Sequence, residues 1–157
     1  MQLTTGRLLG ATVLTAALVI GVSGCSGLEF QQDRRLSFTS PASDQLTKLP
    51  VTLAWTMKAP VGAYRFGVFV DQQPIKVGRN VDSVLPSGTR PTRALFAAAD
   101  VYVTSASSLT LRNIPDLDND RSSRQRHWAT VVLLDRSGNR VNESAWTRSF
   151  DLPRNSS

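Results

Sequence analysis

Apolar residues that recur at every second position, with turn-forming residues between the runs, constrain this fold more than any other feature of the chain. Val51, Leu53 and Trp55 alternate, and Tyr64, Phe66, Val68 and Val70 repeat the pattern behind Gly62. In an extended backbone successive side chains point to opposite faces, so each set lines one face of a strand. Leu36 and Phe38 alternate up to Ser40-Pro41, and Ile75 and Val77 read as a brief follow-on strand ended by Gly78. Two further short strands are expected at residues 101–104 and 109–111. Residues 129–134 are the most apolar stretch, closed by Arg136-Ser137-Gly138-Asn139, and a last strand carries Trp146 and Phe150 before Pro153. Only residues 93–100, Ala-rich and following Pro91, suit a helix. Short period-two runs punctuated by Gly, Pro and Asn/Asp predict an all-β sandwich or barrel.

The amino terminus follows a different rule. Residues 8–22 are a fifteen-residue run containing nothing more polar than Thr and Gly, preceded by Arg7 and followed by Ser23-Gly24 and the single cysteine, Cys25. A positive start, a short apolar centre and a small-residue exit make a secretory signal. The alternative, an uncleaved anchor, needs about 20 apolar residues, and this run is shorter, with Gly10 and Gly21 near its ends. The ending Val22-Ser23-Gly24-Cys25 resembles the lipobox of bacterial lipoproteins. That resemblance implies a diacylglyceryl group on Cys25, cleavage between Gly24 and Cys25, and in many bacteria acylation of the new amino terminus. The alternative role for Cys25 is a buried thiol. One acyl chain holds a protein only marginally, at ~0.8 kcal/mol per buried methylene, whereas two or three hold it firmly. Ser26 after the acceptor implies, by the same resemblance, outer-membrane sorting in a host that has an outer membrane.

The expected organisation is a signal peptide over residues 1–24, a lipidated cysteine and tether over 25–33, a β domain over 34–153, and a tail over 154–157. The 133 residues left after cleavage suffice for one domain with a real core. With one cysteine, no intramolecular disulfide can form, so burial must carry the stability. The net charge of +6 comes from fifteen Arg and three Lys against twelve acids. The bases are scattered, apart from Arg34-Arg35 and residues 121–126. Clustering is what marks a nucleic-acid footprint, so no nucleic-acid partner is expected.

Pro50-Val51-Thr52-Leu53-Ala54-Trp55 and Tyr64-Arg65-Phe66-Gly67-Val68 resemble the second and third strands of fibronectin type III and related immunoglobulin-like domains. Leu109-Thr110-Leu111-Arg112-Asn113-Ile114-Pro115 is similar to their fifth strand and its corner, and residues 127–139 to the sixth strand and following turn. The resemblance implies a single sandwich of about seven strands with Trp55 in its core. In that family a Tyr often ties the corner before the sixth strand. His127 stands at that place here. Folds of this kind host many functions, so the resemblance transfers no active site.

His127 is the only histidine. A hydrolase would pair it with a nucleophile and an orienting carboxylate, but no motif selects a nucleophile. It reads as a strand residue whose ring bonds a nearby backbone group. Asp116, Asp118 and Asp120 alternate like the opening of an EF-hand loop, in which oxygen ligands converge on calcium. The position that needs Gly is Arg121 and the position that needs Glu is His127, so that motif is rejected. An irregular calcium loop and a self-neutralising pairing with Arg124 and Arg126 stay open, and no metal site or cofactor is assigned.

Binding surfaces are expected in the long connection over residues 79–100, with Arg90, Arg93 and Phe96, and in the corner over residues 116–126. Connections of this length are uncommon unless functional or disordered. Trp55 and Trp146 are in phase with core positions. Trp128 is out of phase with Val131 and Leu133 and is the one aromatic expected to be an exposed platform. Asn142-Glu143-Ser144 fits a glycosylation acceptor, which has little meaning in a bacterial envelope. The expected function is that of a lipid-anchored cell-envelope protein facing away from the cytoplasm: a non-catalytic binding or assembly module for an envelope protein or cell-wall polymer. An accessory subunit of a membrane complex and, less favoured, an envelope hydrolase are the alternatives.

Overall fold

The computed structural model describes residues 36–58, 64–117 and 122–154, with the backbone alone at 142–144. The signal segment, Gly24, Cys25 and the tether lie outside the described residues. Among the described residues eight strands run in order: β1 (Leu36–Ser40), β2 (Gln45–Leu46), β3 (Val51–Met57), β4 (Arg65–Val70), β5 (Val101–Thr104), β6 (Ser108–Leu111), β7 (Arg124–Leu134) and β8 (Arg140–Pro153). A 3-10 turn at Val81–Val84 and the helix α1 (Arg93–Ala98) interrupt the long connection between β4 and β5. The chain is therefore predominantly β, as its alternation predicts. Among the described residues no helix is long and apolar enough to cross a membrane.

The strands form a three-stranded sheet, β1-β3-β6, and a five-stranded sheet, β2-β8-β7-β4-β5. Every pairing is antiparallel except the short one between β2 and β8. The two sheets share one core, because their period-two faces are complementary. Leu36, Phe38, Val51, Leu53, Trp55 and Leu111 come from the small sheet. Phe66, Val68, Val70, Ala129, Val131, Leu133, Phe150 and Leu152 come from the large one. Trp55, 2% exposed, sits edge-on to Phe38 at 6.2 Å and to Phe66 at 5.3 Å between ring centroids. Each large apolar side chain enclosed this way contributes about 1.5–3 kcal/mol.

Part of the other face of the large sheet is buried as well. Phe69, Val81, Val101, Val132, Leu134 and Ala145 make a second cluster, covered by Ile75, Val84, Phe96 and Val103. The cover is the β4–β5 connection, which folds back across the sheet. Arg140 Nη1 donates to the Ile75 carbonyl at 2.7 Å, Gly78 N donates to the Arg140 carbonyl, and Asn80 bridges to Asn139. Residues 75–77 thus form no strand, contrary to the period-two expectation. Ile75 packs down on the sheet and Val77 faces solvent, because this chain caps a face instead of extending an edge. For the same reason β4 is buried at five consecutive positions rather than at every second one.

The two edges of the sandwich differ. On one side the chain passes from β1 in the small sheet to β2 in the large sheet, and Arg148 of β8 lies over the Phe38 ring and donates to the Phe38 carbonyl. On the other side β5 and β6 are joined only through residues 105–107, and each ends its own sheet. That side carries no covering strand among the described residues.

Candidate functional site

The open side holds a groove of about 660 Å³ between β5 and β6. Tyr102 and Thr104 of β5 form one wall and Ser108, Leu109 and Thr110 of β6 the other. Arg65, the first residue of β4, closes one part of the rim, and Pro91, Thr92, Arg93 and Phe96 from the start of α1 close another. Helix α1 begins there because Thr92 caps it, its hydroxyl accepting from Leu95 N at 3.2 Å. Phe96 then points down to the second core and anchors that wall. The lining contains two guanidinium groups and five hydroxyl side chains besides the Tyr102 phenol, and no carboxylate. Burial is the main influence on Tyr102, followed by the charge of Asp100, and both push its hydroxyl above the ordinary tyrosine value.

A second cluster gathers where β4 ends against β7. Asp71 has φ 53°, a left-handed turn that Asp tolerates better than most residues. Its carboxylate accepts from Trp128 N at 2.9 Å and meets His127 Nδ1 at 2.6 Å. His127 is 1% exposed and stacked on Phe150 at 6.0 Å. The ring nitrogen therefore bonds a carboxylate, where a backbone partner is the sequence-based expectation. An imidazole enclosed this completely positions the turn and offers no face to a substrate. Asp100 lies close by, and its carboxyl is raised above the ordinary Asp range, first by burial and then by the Asp71 charge.

Trp128 stands on the solvent side of β7, 38% exposed, as its phase predicts. Polar pairs surround it along neighbouring strands. Arg126 contacts Asp151 at 3.3 Å and Asp44 at 3.6 Å, and Ser149 Oγ donates to Asp44 at 2.8 Å. The Ser149 bond is the first cause holding the Asp44 carboxyl below its ordinary range. Threonines 130 and 147 share a 2.9 Å hydrogen bond in the same face.

The sequence-predicted residues therefore disperse. Arg93 and Phe96 meet at the edge groove, whereas Arg90 is exposed and outside its lining. Arg126 joins Trp128 on the sheet face, and Arg124 is exposed at the start of β7. Asp116 lines a smaller cavity with Lys48, Ile114 and Leu152. Asp118 and Asp120 lie outside the described residues, and among the described residues no cluster of His, Cys, Asp or Glu could hold a metal ion. Trp55 and Trp146 both belong to the core, as expected, the latter at its margin.

Two contributions escape sequence reading. Arg65 reaches the groove only because the sheet order sets β4 next to β5, and no local pattern signals it. Gln125, 1% exposed, does the work of a corner tie. Its Oε1 accepts from Leu117 N at 2.9 Å and its Nε2 donates to the Leu117 carbonyl. A buried amide inside a stretch of Arg and Ser is the one signal that could have found it.

The chain matches no protein-family model, no curated protein and no solved structure. The residues themselves carry any functional reading.

Proposed function

We propose that this protein is a bacterial cell-envelope lipoprotein whose single immunoglobulin/fibronectin III-like domain is a non-catalytic binding or assembly module. The observation that carries the reading is the order of parts: a charged start, an apolar run, Val22-Ser23-Gly24-Cys25, a short tether and then a β domain. Lipid on Cys25 would hold the domain at the membrane, facing away from the cytoplasm. An envelope protein or a cell-wall polymer would be the partner.

The strand order supports the finer fold assignment. With the two-residue β2 left aside, the first, second and fifth strands face the third, fourth, sixth and seventh. Trp55 fills the core from the second of them. Gln125 supplies the corner tie for which that family often uses a Tyr. The open β5–β6 side favours the second reading, an accessory subunit that docks on a membrane complex by a strand edge.

Intact-mass spectrometry of protein extracted from membranes tests the anchor. The expected mass begins at Cys25 with two or three acyl chains added. A chain that starts at Met1, or an unmodified Cys25, overturns the reading.

A further inference from the structure

We infer that the groove between β5 and β6 is a strand-addition site for an extended acidic peptide segment of a partner protein, paired to the edge of β6 that no described strand occupies. The inference deepens the binding-module reading above and rests on it.

An unpaired strand edge is a row of backbone donors and acceptors that invites another chain. Proteins usually blunt such edges with Lys, Pro, a bulge or a cover. β5 reads Val-Tyr-Val-Thr and β6 reads Ser-Leu-Thr-Leu, without a charged residue or a proline. At the opposite edge β2 is only two residues long and is followed by Lys48 and Pro50. On the open side α1 flanks β5, whereas the outer edge of β6 has no cover among the described residues.

Register identifies the groups on offer. β6 pairs with β3 through Leu53↔Leu109 and Ala54↔Ser108, and Trp55 N donates to the Ser107 carbonyl at 3.0 Å. Hydrogen-bonded and non-hydrogen-bonded pairs alternate along an antiparallel ladder. Residues 107, 109 and 111 therefore bond β3, and Ser108 and Thr110 turn their N–H and C=O groups outward. The 3.1 Å contact between the Thr52 and Thr110 hydroxyls fits this assignment, since side chains approach most closely at non-hydrogen-bonded pairs. Both outward-facing residues line the groove. An added strand would also cover Tyr102 and Leu109, which only partly reach the core.

Charge selects the occupant. Arg65 and Arg93 stand on the rim with no carboxylate in the lining. A second copy of this chain would bring like charges together, which disfavours its edge. A segment alternating acidic with β-prone residues meets the backbone row and both guanidinium groups at once.

The test uses the full chain in detergent and three probes: a blocked ten-residue peptide alternating Glu with Val and Thr, its Lys-for-Glu counterpart, and soluble poly-glucuronate. Amide exchange is read at Ser108 and Thr110. The Glu peptide is expected to slow both amides by about tenfold or more when saturating. Raised salt should weaken its binding, and the Lys peptide should leave both amides unchanged. Ser108→Pro removes one outward N–H without breaking the β3 ladder and should abolish binding. Arg65→Glu with Arg93→Glu should weaken it at least about tenfold while leaving the fold intact. Equal protection by both peptides, protection by poly-glucuronate alone, no protection by any probe, or a dimer in sedimentation that Ser108→Pro dissociates each overturns the inference. Retention on purified cell envelope that survives Ser108→Pro would remove the groove as the site while leaving the binding-module reading in place.

Discussion

Single side chains decide how the turns of this sandwich hold, and three of them make measurable claims. Gln125 satisfies both backbone groups of Leu117 from inside the core. Gln125→Leu leaves that donor and acceptor without their partner, so a loss of about 2–3 kcal/mol is expected in urea unfolding. Gln125→Glu keeps the acceptor but sets a carboxylate oxygen against the Leu117 carbonyl at a buried site, so it should lose at least as much at neutral pH. Asp100 and Asp135 are expected to respond to pH with opposite signs. Burial first, and then Asp71, raise the Asp100 carboxyl, so the native state binds more protons than the unfolded one. Ionised Asp100 therefore costs stability at neutral pH, and the cost fades as pH falls through its raised range to the ordinary Asp value. Asp100→Asn should stabilise at pH 7, by less than about 1 kcal/mol because much of the carboxyl is solvated, and the gain should be gone by about pH 3. The side chain and backbone N–H of Asn139 hold the Asp135 carboxyl low. Its contribution is present above the ordinary Asp range and is lost as pH falls through the lowered one. Asp135→Asn should therefore destabilise at neutral pH and not in strong acid. Thermal melts at pH 7 and pH 3 check the Asp100 sign, and melts at pH 7 and in stronger acid, at about pH 1–2, check the Asp135 sign.

At the scale of elements, the β4–β5 connection has a packing role that the sequence does not show. Its Arg and Pro residues look like those of a presenting loop, yet Ile75, Val84 and Phe96 cover the outer face of the large sheet. Gly67 lies beneath that cover. A Cβ built there would meet Phe69, Leu134 and Val132 carbons at 3.1–3.2 Å. Gly67→Ala is expected to cost about 1–3 kcal/mol by overpacking, seen as an earlier urea midpoint with an unchanged slope. Equal stability would mean that the second core has room, and that the connection is more loosely held than its contacts indicate. The strands themselves were legible: β1, β3, β5 and β6 fall within a residue or two of their alternating runs, and β7 contains its apolar run at one end. Burial of both faces of β4 was not legible, because a periodic pattern reports one buried face and is silent when a distant segment covers the other.

For the whole molecule, attachment is proposed at one end of the chain, at Cys25, and recognition at the β5–β6 edge of its fold. If Cys25 is lipidated as proposed, Cys25→Ser is expected to move the protein from the membrane to the soluble fraction, because two or three acyl chains would be what holds it there. Unchanged membrane retention in that variant would point to protein contacts or to the apolar run as the anchor. Of the groove, Arg93 and Phe96 were legible from position, and the exposure of Trp128 on the separate sheet face was legible from phase. Arg65, Ser108 and Thr110 were not, since nothing in the local sequence says which strands end a sheet.

The alternation of apolar residues determined by itself that this chain builds strands, where most of them run and which faces turn inward, because side-chain direction in an extended backbone is a local property. Sheet order, the folding of residues 71–100 over a sheet face, the Gln125 tie and the open β5–β6 groove were decided only by tertiary structure. Each depends on which distant segments meet, and that is settled by how two complementary faces and their connections pack together in space.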